Sequence, residues 1–99
     1  MKIELKKFGT LLTARQNGRE AFAALQTQLA ALDENEKLEL DFGAVITFTP
    51  SWGDEFLSPL ANKYRMRLIL INTSNPSVKA TLELLGEINK ISFNEAGKA

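Results

Sequence analysis

The chain contains no cysteine and no histidine. The first absence excludes disulfides and a thiolate nucleophile; the second removes the commonest metal ligand and the most frequent general base near neutral pH. Nor is there an excess of charge of either sign: 12 basic and 12 acidic residues cancel. That leaves none of the electrostatic footprint expected of a nucleic-acid or anionic-membrane partner. The small positive groupings Lys2, Lys6, Lys7 and Lys63, Arg65, Arg67 read as solvated surface. No apolar run approaches the ~18 residues of a membrane span, and charge from Lys2 onward replaces a signal-peptide apolar stretch. A cytoplasmic setting fits. The sequence also lacks a calcium-loop spacing and a Gly-rich phosphate loop ending in Lys-Ser or Lys-Thr, so no metal or cofactor is expected.

What is present is the composition of one ordinary globular domain: 99 residues, 44% hydrophobic and 24% charged, with apolar positions spread along the chain. Met1 to Phe8 alternates charged and apolar residues, the period of a half-buried strand. Thr10 to Thr13 suggests a short second strand, and Asn17-Gly18 then reads as a break. From Arg19 to Leu32, Phe22, Leu25, Leu29 and Leu32 recur at helical spacing. Lys37 to Phe42 alternates again. Thr49-Pro50-Ser51 is helix-start chemistry, with the cap open between Thr49 followed by Pro50, and Ser51 paired with Asp54 three residues on. Pro59 inside that second helix predicts a kink or local distortion.

Leu68 to Ile71 is a run of four aliphatic residues, as in a central strand covered on both faces. Asn75-Pro76 opens a third helix that ends near Gly86. The order predicts an α/β fold: a mixed sheet with a parallel central pair and about three helices. Residues 1–93 would form a single domain and 94–99 a flexible tail.

Leu40 to Val45, followed after a spacer by Thr49-Pro50-Ser51-Trp52-Gly53-Asp54-Glu55-Phe56-Leu57, resembles the strand–loop–helix signature of STAS-like domains (sulfate transporter and anti-sigma-factor antagonist). Phe8 to Arg15, followed by an amphipathic helix, is similar to the opening of the branch described as STAS-like domains of unknown function. In anti-sigma-factor antagonists the corresponding loop reads Asp-Ser-Ser-Gly, and a partner kinase phosphorylates the second serine. Ser51 matches that serine, while Thr49, Pro50 and Trp52 replace the aspartate, the first serine and the glycine. The resemblance implies a regulatory protein-binding module rather than an enzyme. Residues 47–55 would face a partner such as a histidine-kinase-like ATPase, with Ser51 as a phosphorylation site and Thr49, Ser51, Trp52, Asp54 and Glu55 in contact.

The residues leave alternatives open beside it. Ser51 is either a phosphate acceptor or merely part of a helix start, and Trp52 is either an exposed anchor or core. Asp54 and Glu55 would repel a phosphate on Ser51, making it an off-switch. As catalytic carboxylates they lack a neighbouring nucleophile or histidine. A small-ligand or nucleotide sensor without catalysis would instead use Asp41, Asn72 and Thr73 at the carboxyl ends of the strands. A self-associating structural subunit is the third reading.

Overall fold

The computed structural model describes residues 1–96, and its strands pair in parallel within each of two sheets. The elements are β1 (Lys2–Glu4), β2 (Leu11–Leu12), α1 (Arg15–Leu29), β3 (Leu38–Asp41), β4 (Thr47–Phe48), α2 (Pro50–Tyr64), β5 (Leu68–Ile71), α3 (Pro76–Asn89) and β6 (Asn94–Glu95). The main sheet has the order β1-β3-β5-β6, and a two-stranded ribbon pairs β2 with β4. The α/β class, the parallel central pair and the three helices are as expected. The sheet is not mixed, because every pairing among the described strands is parallel. The reason is topological: a helix separates each main-sheet strand from the next, and such crossovers return the chain in its original direction.

The register places Ile3, Leu40 and Leu70 side by side, with Leu38 opposite Leu68, and all five are buried in one core with the apolar faces of the helices. The opposite sheet face carries Lys2, Glu4, Glu39, Asp41, Ile69 and Ile71, all exposed or half-buried. The described helices therefore cover one face only. The aliphatic run in β5 is accordingly not covered on both sides: Leu68 and Leu70 are core, whereas Ile69 and Ile71 look outward.

Other boundaries also move. After Glu4 the chain tightens into a 3₁₀ turn over Leu5–Phe8 rather than extending the first strand. α1 begins at Arg15, so Asn17-Gly18 does not break it; Gly18 is buried in its first turn against α2. α3 runs past Gly86 to Asn89, and Lys90 closes it in the left-handed conformation. Asn94 and Glu95, expected to begin a tail, instead form an edge strand whose pairing with Ile69 and Leu70 needs backbone groups rather than an apolar pattern. The rest of that expected tail, residues 97–99, lies outside the described residues. α2 continues through Pro59 to Tyr64, although Pro59 has no N–H to donate to the Glu55 carbonyl.

α2 is followed by its C-cap Arg65, whose φ of 50° and ψ of −120° suit glycine and strain a residue with a Cβ. Strain of this kind costs about 1–3 kcal/mol, and glycine's larger unfolded-state entropy offsets part of the relief. Arg65→Gly is expected to stabilise the domain by about 1 kcal/mol and to raise its melting temperature by roughly 4–8 °C. A thermal melt showing no rise would contradict strain at this residue.

Candidate functional site

Thr49 and its neighbours tie the start of α2 to the β2–β4 ribbon. The Thr49 amide donates to the Leu12 carbonyl at 3.0 Å and its hydroxyl to the Thr13 carbonyl at 2.8 Å. The same hydroxyl oxygen accepts from the Trp52 amide at 3.4 Å, which makes Thr49 the N-cap and places Pro50 at the first helical position, where a missing N–H costs nothing. The cap left open in the sequence is therefore Thr49. Ser51 sits at the second helical position, half-buried.

Trp52 is core. It is 1% exposed, with ring centroids 4.7 Å from Phe56, 5.9 Å from Phe48 and 6.3 Å from Phe8. It is thus removed from the set of surface contacts expected at this helix start, because its ring completes an aromatic cluster beneath the ribbon. Where the antagonist motif has glycine, this chain uses that position for packing.

Asp54 and Glu55 are at the surface, already partnered from α1. Arg15 Nη1 lies 3.1 Å from Asp54 Oδ2 and 3.2 Å from Glu55 Oε1, and Arg19 Nη2 lies 3.1 Å from Glu55 Oε1. Hydrogen bonds from Arg19, and then from Arg15, hold the Glu55 carboxyl below its ordinary range. Two guanidinium groups thus offset the two carboxylates, which removes the main reason to expect strong repulsion of a phosphate at Ser51. Sequence reasoning missed both arginines. Starting α1 at Arg19 left Arg15 in a loop, although two cations four residues apart opposite two adjacent acids are complementary in number.

Above this helix start the ribbon keeps two large apolar side chains in water: Leu11 is 64% exposed and Ile46 61%. They lie on its two paired segments, Leu11 in register with Thr47 and the Ile46 amide donating to the Thr10 carbonyl at 2.8 Å. Neither was singled out in the sequence, where Leu11-Leu12 reads simply as strand.

The residues of the ligand-sensor reading also converge, but on one another. Asp41 Oδ1 accepts from Asn72 Nδ2 and from the Gly43 amide, each at 2.8 Å, while Lys2 Nζ lies 3.5 Å from Oδ2. Thr73 is turned elsewhere, donating to Glu95 Oε1 at 2.7 Å. The Asn72 bond first, then the Gly43 amide and Lys2, hold the Asp41 carboxyl below its usual 3.8 against the opposing effect of burial. A depressed folded-state pKa contributes stability that is complete above the unfolded value and is lost as pH falls through the folded one. Chemical denaturation is therefore expected to show stability falling on acidification below about pH 4, with a shallower fall in Asp41→Asn. An equally steep fall in that variant would count against the Asp41 network.

Two clefts, of about 340 and 310 Å³, lie away from the α2 start, on either side of the segment from Ile91 to Phe93. Among the described residues no group of acidic side chains has the arrangement of a metal site, and no helix is long and apolar enough to cross a membrane.

A family model described as a STAS-like domain of unknown function matches residues 24–78, from the middle of α1 into the first turn of α3. The match includes Asp41, Asn72 and the whole of Thr49 to Glu55. No curated protein and no solved structure matches the chain.

Proposed function

We propose, from the premise that this chain belongs to the family of STAS-like domains of unknown function, that it is a non-enzymatic regulatory module that binds a partner protein through the start of α2 and the β2–β4 ribbon. The observation that carries the reading is the pair Leu11 and Ile46, large apolar side chains held in water beside a capped helix start. Exposed apolar groups rimmed by polar ones suit a protein interface, where they exclude water on contact. Around them Thr49, Ser51, Asp54 and Glu55 supply the polar rim; Trp52 acts beneath it by fixing the backbone.

The partner class follows from the likeness to anti-sigma-factor antagonists: a cytoplasmic histidine-kinase-like ATPase, with Ser51 the switched residue. Thr49 and Pro50 depart from the antagonist motif, yet as cap and first helical residue they keep Ser51 in the first turn of α2. A phosphate there would meet the positive end of the α2 dipole, with Arg15 and Arg19 offsetting the neighbouring carboxylates.

Affinity capture from native cytoplasm tests the reading, using wild type and a Leu11→Asp, Ser51→Glu variant matched for folding by circular dichroism. An ATPase of that class is expected with the wild type and not with the variant. Equal recovery of every protein by the two would sink the proposal.

A further inference from the structure

The 310 Å³ cleft lies at the far end of α2 from the surface just described, beside the first residue of β5 and the first of β6. Ala61 and Leu68, both buried, line its apolar interior; Met66 and Phe93 also line it, and Arg65 and Lys90 bring two cations to it. We infer that this cleft is a binding site for a small amphipathic anion, with a carboxylate or phosphate head held between Arg65 and Lys90 and an apolar body against Leu68, Met66 and Phe93. The inference is independent of the partner surface.

Three observations converge on it. First, among the described residues the charge is one-sided and unspent: no acidic side chain lines the cleft, and neither Arg65 nor Lys90 is in an ion pair or donates to a carbonyl through its side chain. This contrasts with the α2 start, where both guanidinium groups are bound to carboxylates. Second, Met66 is 74% exposed, more than any other large apolar residue described. An exposed, flexible thioether side chain at the mouth of an apolar cleft is suited to closing over a ligand. Third, both cations stand on backbone of positive φ, Arg65 at φ 50° and ψ −120° and Lys90 at φ 56° and ψ 46°, where glycine would end a helix with less strain. Backbone strain of this kind is kept at ligand sites as well as at helix ends, where the surrounding structure over-determines it. The cleft volume lies at the small end of the range for ligand sites, which limits the apolar body to a short chain or a single ring.

Met66 supplies the test, since the chain has only two methionines and Met1 does not line the cleft. Protein labelled with ¹³C at the methionine methyls is titrated with sodium octanoate, with octyl phosphate, with 1-octanol and with inorganic phosphate. The Met66 resonance is expected to shift saturably with the two amphipathic anions, while Met1 stays in place. Affinity should be lower by about tenfold or more for 1-octanol, for inorganic phosphate and for an Arg65→Gln, Lys90→Gln variant, the scale of losing a charge-assisted contact. Lys90→Gln alone, with an unchanged circular dichroism spectrum, gives an intermediate affinity. Arg65→Gly should bind the anions more weakly while melting at a higher temperature, two effects of opposite sign that a general loss of folding cannot produce. Equal binding of 1-octanol, unchanged affinity in the double variant, or a Met66 resonance that does not move would each overturn the assignment.

Discussion

Trp52→Ala is expected to lower the stability of the domain by about 3–5 kcal/mol, the cost of emptying a large aromatic site that cannot fully collapse. A domain of this length holds about 5–15 kcal/mol in all, so the loss is a large share of the total and lowers the melting temperature by roughly 10–40 °C. The size follows from the surroundings of the ring: at 1% exposure it touches an aromatic group on each flank, Phe8 from the 3₁₀ turn, Phe48 from β4 and Phe56 one helical turn on. Its removal unseats three segments at once. Trp52→Phe should recover much of the difference by keeping an aromatic face in place. Because this is the only tryptophan, thermal and urea melts are best followed by far-ultraviolet circular dichroism in all three proteins. A change within about 0.5 kcal/mol in Trp52→Ala is the signature of a surface residue and would return Trp52 to the partner interface.

Gly18→Ala carries the second large effect, and its sign opposes helix propensity. In an exposed helix interior, replacing glycine by alanine gains about 1 kcal/mol. At Gly18 an added Cβ would lie 2.5 Å from the carbonyl oxygen of Trp52 and 3.0 Å from its Cα. These are backbone atoms of α2, so no side-chain rotation relieves the clash and the two helices must separate. A net loss of about 2 kcal/mol is expected, within the usual cost of overpacking. Trp52→Phe leaves the obstructing carbonyl in place and does not rescue it. A stabilised Gly18→Ala would show that α1 and α2 do not approach as closely as described.

Gly18 also marks where sequence reasoning reached its limit. Asn-Gly is a strong local turn signal, yet here the need for two helices to touch outweighs it, and that need comes from a residue 34 positions away. Local chemistry decides the structure where it acts alone: Asn75-Pro76 begins α3 with Asn75 Oδ1 accepting from the Ser77 and Val78 amides at 2.7 and 3.2 Å. Thr49-Pro50 begins α2 in the same manner. The apolar stripes of the helices and the alternation of Leu38 to Asp41 were equally plain.

Features set by long-range pairing were not legible. Nothing in Asn94-Glu95 announces a strand, because a short parallel edge requires only a neighbour with free backbone groups. The outward position of Ile69 and Ile71 depends on there being no helix layer on that side of the sheet among the described residues, which four aliphatic residues in a row do not reveal. At the candidate site, the family signature marks the helix start, whereas the arginines that neutralise Asp54 and Glu55 stand on a first turn of α1 that no apolar stripe announces. The cleft beyond Arg65 draws on the ends of α2 and α3 and the approach to β6, three segments that sequence proximity does not unite.

The strand order β1-β3-β5-β6 follows the order of synthesis, each main-sheet strand being laid against the one made before it. A growing chain therefore always finds its template already present, and no segment has to wait for a later one to be inserted between two earlier strands. Vectorial assembly on the ribosome suits such a sheet. Mechanical pulling on the carboxyl end should reverse it, detaching β6 first and opening the rim of the cationic cleft while β1, β3 and the α1–α2 contact still hold.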